Sequence, residues 1–156
     1  MAQLSLYYPI QPHIVSHVWG TARSAHRSHG ARRHNGIDIE ITENNEIRSP
    51  IDGIVTLSGH HKGSAGVFLT IVSSTPSDFP DGKRAHVELT FLHLSATLVE
   101  DGARVSIGTP IARSGSGHVH LAPKRVRKGF FGFRDIDRND ADNTFDPEPY
   151  WNGRYA

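Results

Sequence analysis

A chain of 156 residues and 17.2 kDa has room for one hydrophobic core, and two independent domains would be cramped. With 37% hydrophobic and 21% charged residues, 15 Gly and 9 Pro, it is too apolar for disorder and too turn-rich for a helical bundle. A net charge of +1 calls for neither nucleic acid nor an acidic membrane, and zero cysteines exclude disulfides, thiolate nucleophiles and sulfur-based metal sites, so any transition metal must be held by the eleven histidines and by carboxylates.

The N-terminus has no basic segment followed by an unbroken apolar one, because Pro9 and Pro12 interrupt it, and no stretch reaches the ~18 apolar residues of a membrane span. Neither a signal peptide nor a span is therefore expected. Residues 37–41 (Ile-Asp-Ile-Glu-Ile) alternate strictly, which predicts a strand with Asp38 and Glu40 on its polar face. Residues 54–57 and 67–72, each introduced by a turn or a glycine, are β-branched runs that read as neighbouring antiparallel strands. Turn formers fill 75–83. Alternation resumes over 86–94, with Val87, Leu89, Phe91 and His93 on one face.

Short strands follow at 105–107 and 110–112, and the Gly/Ser loop 114–117 leads to His118-Val119-His120-Leu121. The tail from Pro123 is less regular, with a basic run (Lys124, Arg125, Arg127, Lys128) and an acidic one (Asp135, Asp137, Asp140, Asp142). No helix of three capped turns and no repeat is present. The expectation is an all-β fold, a compact antiparallel sheet or sandwich with an active-site groove. Residues 1–156 form one domain in this reading, with a core over about 9–123 and the segment 124–156 packed on it.

His34-x-x-x-Asp38 and His118-x-His120 have ligand spacing, but chance alone gives about 0.8 His-x-His pairs at this histidine content, so context must carry the argument. Residues i and i+2 share a strand face, so His118 and His120 point together behind a glycine-rich loop that leaves room for a ligand. Asp38 lies on its strand's polar face, and the Asn35-Gly36 turn can swing His34 toward it. His93 interrupts an apolar face, where an unpartnered imidazole would be costly. Two His and one carboxylate make the three-ligand set of a catalytic zinc with an open fourth position, leaving two histidines as acid–base groups. The other seven (His13, His17, His26, His29, His60, His61, His86) read as surface or satisfied core residues.

These residues fall within an ordered series. Val18-Trp19-Gly20-Thr21-Ala22-Arg23, His34-Asn35-Gly36-Ile37-Asp38, Ser49-Pro50-Ile51-Asp52-Gly53-Ile54-Val55, His93-Leu94-Ser95, Val99-Glu100-Asp101-Gly102 and His118-Val119-His120 follow one another over roughly residues 9–121. The series resembles the M23 (LytM/lysostaphin-like) family of zinc metallopeptidases, which cleave peptide bonds in bacterial peptidoglycan. The resemblance implies a lysostaphin-type fold, one zinc per chain on His34, Asp38 and His120, and His93 and His118 as the unliganded catalytic pair. Departures are Leu121-Ala122-Pro123 after the last motif, Trp19 in place of Phe and Phe91 in place of Tyr. It also implies peptidoglycan as partner and an extracytoplasmic location: periplasm, wall or phage virion. Non-catalytic LytM-type wall-binding or regulatory modules are the alternative, and retention of all five groups favours the enzyme.

Three secondary expectations complete the reading. The segment 22–33 is polar and aperiodic, so it should form a mobile rim loop whose Arg32 and Arg33 attract carboxylate-bearing substrate. Nucleic-acid binding is not expected, since aromatic interleaving is missing, and a monomer is. Asp135-x-Asp137-x-Asn139 echoes a Ca²⁺ loop but carries Asp140 where such loops need Gly.

Overall fold

The structure, a computed structural model, describes residues 2–22, 33–42, 45–61, 63, 66–115 and 117–156. The strands among them are β1 (Leu6–Tyr8), β2 (Val15–His17), β3 (Ile37–Glu40), β4 (Glu46–Arg48), β5 (Gly53–His60), β6 (Val67–Ser73), β7 (Ser77–Asp78), β8 (Arg84–Thr97), β9 (Arg104–Val105), β10 (Pro110–Ser114), β11 (His118–Gly129), β12 (Gly132–Asp135) and β13 (Trp151–Tyr155). One 3-10 turn, Glu148–Tyr150, is the sole helical element among the described residues. The main sheet runs β2-β3-β11-β8-β6-β5-β9 and is antiparallel throughout. β10 joins β4 to β8, β12 folds back on β11, β7 pairs with β8, and β1 pairs in parallel with β13.

Alternation explains the core. In β3 Ile37 and Ile39 are buried, and in β8 Ala85, Val87, Leu89 and Phe91 turn inward at every second position. They meet Leu69 and Ile71 from β6 and Val119 and Leu121 from β11. Asp38 is buried as well, so the polar face expected of β3 is not a solvent face at that position.

The period then breaks. Val67 and Leu69 of β6 pair with Leu94 and Phe91 of β8, so β8 carries one extra residue between the two pairs. The bulge contains His93, a non-glycine residue at φ 67°, and the next inward residue is Leu94 rather than His93. The expected placement of His93 on the apolar face with Phe91 is thus corrected: a bulge re-aims the side chain and restarts the alternation out of phase.

The tail is more ordered than its composition suggests. β11 continues through Pro123 to Gly129. Its pairing with β3 ends at Leu121 while its pairing with β8 runs on to Val126, so β11 becomes one-sided where proline enters. The Pro123 carbonyl accepts from Phe145 N at 3.0 Å on the side away from β8, where a missing N–H disrupts no ladder. Arg125 then ties the tail down, donating to Asp137 at 2.6 and 2.9 Å and to Asp81 at 3.0 Å. Its guanidinium lies 4.9 Å from the Phe79 ring centroid, and Phe79, Phe145 and Tyr150 close an edge-to-face aromatic triangle.

Phe91 is 0% exposed on the central strand β8, so Phe91→Ala should cost about 3–5 kcal/mol of unfolding free energy. Leu57→Ala, at a side chain 53% exposed, should cost under about 1 kcal/mol; chemical denaturation compares the two. Glu88 supplies a pH-dependent check. Burial pushes its carboxyl up, Lys124 pulls it down less strongly, and Asp135 adds to the rise. A folded-state pKa above the unfolded one means that ionising Glu88 opposes folding at neutral pH and ceases to matter once pH falls into the ordinary carboxylate range. Glu88→Gln should therefore raise Tm at pH 7, with the gain fading toward about pH 4.

Candidate metal centre

Strand register builds this site. In the antiparallel ladder His17 of β2 pairs with Asp38 of β3, Asp38 with His120 of β11, and His120 with Leu92 of β8. Directly paired residues project on the same face, so one lateral row delivers His17, Asp38 and His120 side by side. His34 arrives from the bend before β3, its backbone tied to Gly20 and Thr21 by hydrogen bonds of 2.9 and 2.8 Å. Gly36 makes the close approach possible: a Cβ there would lie 2.1 Å from Leu121 O and 2.9 Å from His120 Nε2. The first motif needs glycine at this position for space, not for backbone angle.

His34, Asp38 and His120 are 2%, 9% and 4% exposed. Among the described residues, these form the one group of three whose His or carboxylate ligand atoms all lie within 4.8 Å of one another. Asp38 Oδ1 lies 2.9 Å from His120 Nδ1 and 3.4 Å from His34 Nε2. Burial alone would push the Asp38 carboxyl up, but the neighbouring imidazoles, led by the hydrogen bond from His120, outweigh it and hold the group well below the usual carboxylate range.

The fit to a metal can be judged from His34. Its Nδ1 donates to the Val18 carbonyl at 2.9 Å, and a carbonyl can only accept. In the neutral ring this fixes the tautomer and leaves the lone pair on Nε2, which is buried and has no hydrogen-bond partner. A lone pair facing a carboxylate oxygen at 3.4 Å is unfavourable unless a cation sits between them. Two ligands each about 2.0–2.1 Å from a tetrahedral zinc lie about 3.3 Å apart, so that separation is the one a zinc ion would set. The residues fit the metal, and the Val18 carbonyl is the outer partner that orients the His34 ring.

His93 and His118 form a second pair, with ring centroids 5.0 Å apart and planes at 60°. His118 precedes His120 by two strand positions, about 7 Å, on the same face. His93 reaches it through the β8 bulge, in a backbone conformation that costs on the order of 1–3 kcal/mol and persists only where surrounding structure enforces it. The five histidine and aspartate side chains singled out in the sequence thus fall in two groups, four of them on β3, β8 and β11 and His34 on the bend before β3.

The remaining sequence expectations fare differently. His17, read as an ordinary surface residue, is 70% exposed yet places Nδ1 3.3 Å from Asp38 Oδ2; its spacing to the motif gives no hint of this, because only the β2–β3 register creates it. Arg33 is engaged with Asp140 and lies 4.9 Å over the Trp19 ring, while Arg32 and the rest of 23–32 lie outside the described residues. The suggested calcium ligands are occupied otherwise. Asp135 pairs with Lys124 at 3.1 Å, Asp137 with Arg125, and Asn139 Oδ1 accepts from Ala141 N and Asn143 N. Local cations and amide groups satisfy that acidic turn without an ion.

Gly36→Ala should force β3 and β11 apart at the row that carries Asp38 and His120. Zinc affinity, measured by competition with a chromophoric chelator, is expected to fall at least about tenfold. Unchanged affinity would mean that the backbone yields without moving the ligands.

Comparison with known proteins agrees with this geometry. An uncharacterized metalloprotease of Haemophilus influenzae is 26% identical over 117 residues, 74% of this chain, which spans only 22% of that protein's length. A zinc-containing peptidase from Vibrio cholerae superposes with a TM-score of 0.63 at 19% identity, covering 92% of this chain and 39% of that one. The catalytic domain of lysostaphin from Staphylococcus simulans gives 0.63 at 16% identity, covering 88% and 91%. The antiparallel fold is therefore of the lysostaphin type. The family model for peptidase family M23 matches residues 32–126, which include both ligand motifs and His93, and the chain belongs to that family.

Proposed function

We propose that this chain is a zinc-dependent endopeptidase that hydrolyses peptide bonds in the stem peptides or cross-bridges of bacterial peptidoglycan. The observation that carries the reading is the buried His34 Nε2, its tautomer set by Val18 and its lone pair turned toward Asp38 beside His120. His34, Asp38 and His120 would hold one zinc per chain. The chemistry such an ion supplies is polarisation of a carbonyl and acidification of a water molecule.

The chain's own residues do the rest. Asp38 stays ionised through its two histidine neighbours and gives the centre a fixed negative charge. Val18 keeps the His34 ring from rotating. The attacking water must lose a proton and the leaving amine must gain one. His93 and His118, adjacent to each other and outside the ligand trio, are the groups that accept and return it. No Glu follows a ligand histidine as in H-E-x-x-H zincins, so histidine performs that task.

Peptidoglycan as substrate requires action outside the cytoplasm, in periplasm, wall or on a virion. No described helix is long and apolar enough to cross a membrane. The competing reading, a wall-binding or regulatory module without activity, predicts binding to sacculi with no new products.

Metal analysis of the purified protein should give one zinc per chain, lost in His34→Ala, Asp38→Ala and His120→Ala. His93→Ala and His118→Ala should keep stoichiometric zinc and lose at least about a hundredfold in kcat, because they act on protons rather than on the metal. Digestion of purified peptidoglycan followed by mass spectrometry of the muropeptides identifies the bond. Loss of zinc in either His93 or His118 variant would move that residue into the ligand set, and unaltered sacculi with metal-loaded protein would favour the regulatory module.

A further inference from the structure

The β11–β12 hairpin carries two unfavourable features at once, exposed phenylalanines and opposed like charges. Its apex is Phe130-Phe131, flanked by Gly129 and Gly132, whose residues pair across the turn. Gly132 takes the positive φ of the turn, at 116°, so Phe130 and Phe131 are tolerated there, but nothing in the turn itself calls for phenylalanine. Both residues are 92% exposed, far beyond any other large apolar side chain among the described residues, and their rings meet edge to face at 4.9 Å. Directly below, Arg127 pairs in register with Arg134 and both are exposed. Like charges opposite one another across a ladder are destabilising.

Neither cost is recovered inside the fold. Arg127, Lys128 and Arg134 have no acidic partner among the described residues, whereas the two acids at the base of the hairpin, Asp135 and Asp137, are neutralised by Lys124 and Arg125. A cavity of about 540 Å³ beside the tip is lined by the cations Lys83, Arg127, Lys128 and Arg134 together with Phe130 and one acid, Asp135, which Lys124 neutralises. The result is a convex apolar point with a collar of cations beneath it.

We propose that this hairpin docks on an anionic lipid bilayer, Phe130 and Phe131 entering the headgroup boundary while Arg127, Lys128 and Arg134 contact lipid phosphates. A protruding apex suits a fluid surface, and rings set at 79° to each other offer no flat platform for a sugar. The cationic collar is complementary to phosphate, and basic residues around exposed aromatic ones are the pattern of interfacial anchors. β11 gives the arrangement a geometry. The strand that carries His118 and His120 at one end reaches the tip at the other, about 30 Å away at strand rise. Docking at the tip would therefore hold the candidate metal centre off the membrane.

The test is co-sedimentation of the full zinc-loaded chain with large vesicles of phosphatidylcholine alone or with phosphatidylglycerol. The wild type is expected to bind the anionic vesicles preferentially and to release as salt rises. Phe130→Ser with Phe131→Asn should weaken partitioning at least about tenfold while leaving Tm unchanged or higher, since the replacements suit the turn. Replacing Arg127, Lys128 and Arg134 by Ser should remove the anionic preference, about fivefold per charge. Equal binding to both vesicle types, or undiminished binding by the phenylalanine variant, overturns the proposal. So would two other results in that variant: dissociation of a dimer seen by sedimentation velocity without lipid, making the tip an interface between copies, or selective loss of affinity for insoluble peptidoglycan, making it a substrate element.

Discussion

Everything at the site depends on one buried carboxylate held between two imidazoles. Asp38 is 9% exposed, and without His34 and His120 the burial of its charge would be prohibitive or would protonate it. The cost is met by register. Because Asp38 sits opposite His120 in the ladder, the pair needs no side-chain search, and because Gly36 lets β3 pass Leu121 at near backbone contact, His34 arrives from the same bend. A slip of one residue would turn Asp38 to the other face and bury Ile39 against the histidines. The isoleucines of β3 thus position the candidate ligands Asp38 and His120, because hydrophobic burial on one face fixes what the other presents.

The second group depends on breaking the ladder. A regular β8 would send His93 inward beside Phe91; the extra residue between the two β6 pairings lets Leu94 take the inward place and brings the imidazole to His118. The left-handed backbone at His93 is the local cost of that rearrangement. Opposed devices therefore build the two halves of the site: strict pairing brings Asp38 to His120, and an enforced irregularity brings His93 to His118.

This contrast explains what could be read in advance. Strands with clean alternation or β-branched runs, β3, β5, β6 and the first part of β8, are visible because burial on one face imposes period two. The five residues are visible because their motifs have spacing and order. The His93 bulge is not visible, since an extra residue leaves the composition of the strand unchanged. His17 is missed because its contact with Asp38 arises from the pairing of β2 with β3, a long-range choice that no spacing encodes. The length of β11 is missed because Pro123 reads as a strand breaker, and only a partner strand that stops two residues earlier makes proline harmless there. The acidic tail resembles a calcium loop in sequence for a related reason: Lys124 and Arg125, which neutralise it, come from a strand that local reading had ended.

β11 divides its length among tasks that do not share neighbours. His118 to Leu121 pairs with β3, and from His120 with β8 as well, and Val119, His120 and Leu121 are buried there. Pro123 to Val126 has lost β3 and is closed instead by Phe145 and by the Arg125 clamp on Asp81 and Asp137. Beyond Val126 only β12 remains beside it, and the side chains turn outward. Burial therefore falls along the strand from the candidate metal centre to the tip, with the Arg125 clamp between the two ends. A hairpin in that position can carry residues that add nothing to the fold's stability, Phe130, Phe131 and the Arg127–Arg134 pair, because they lie on its exposed end, remote from His120.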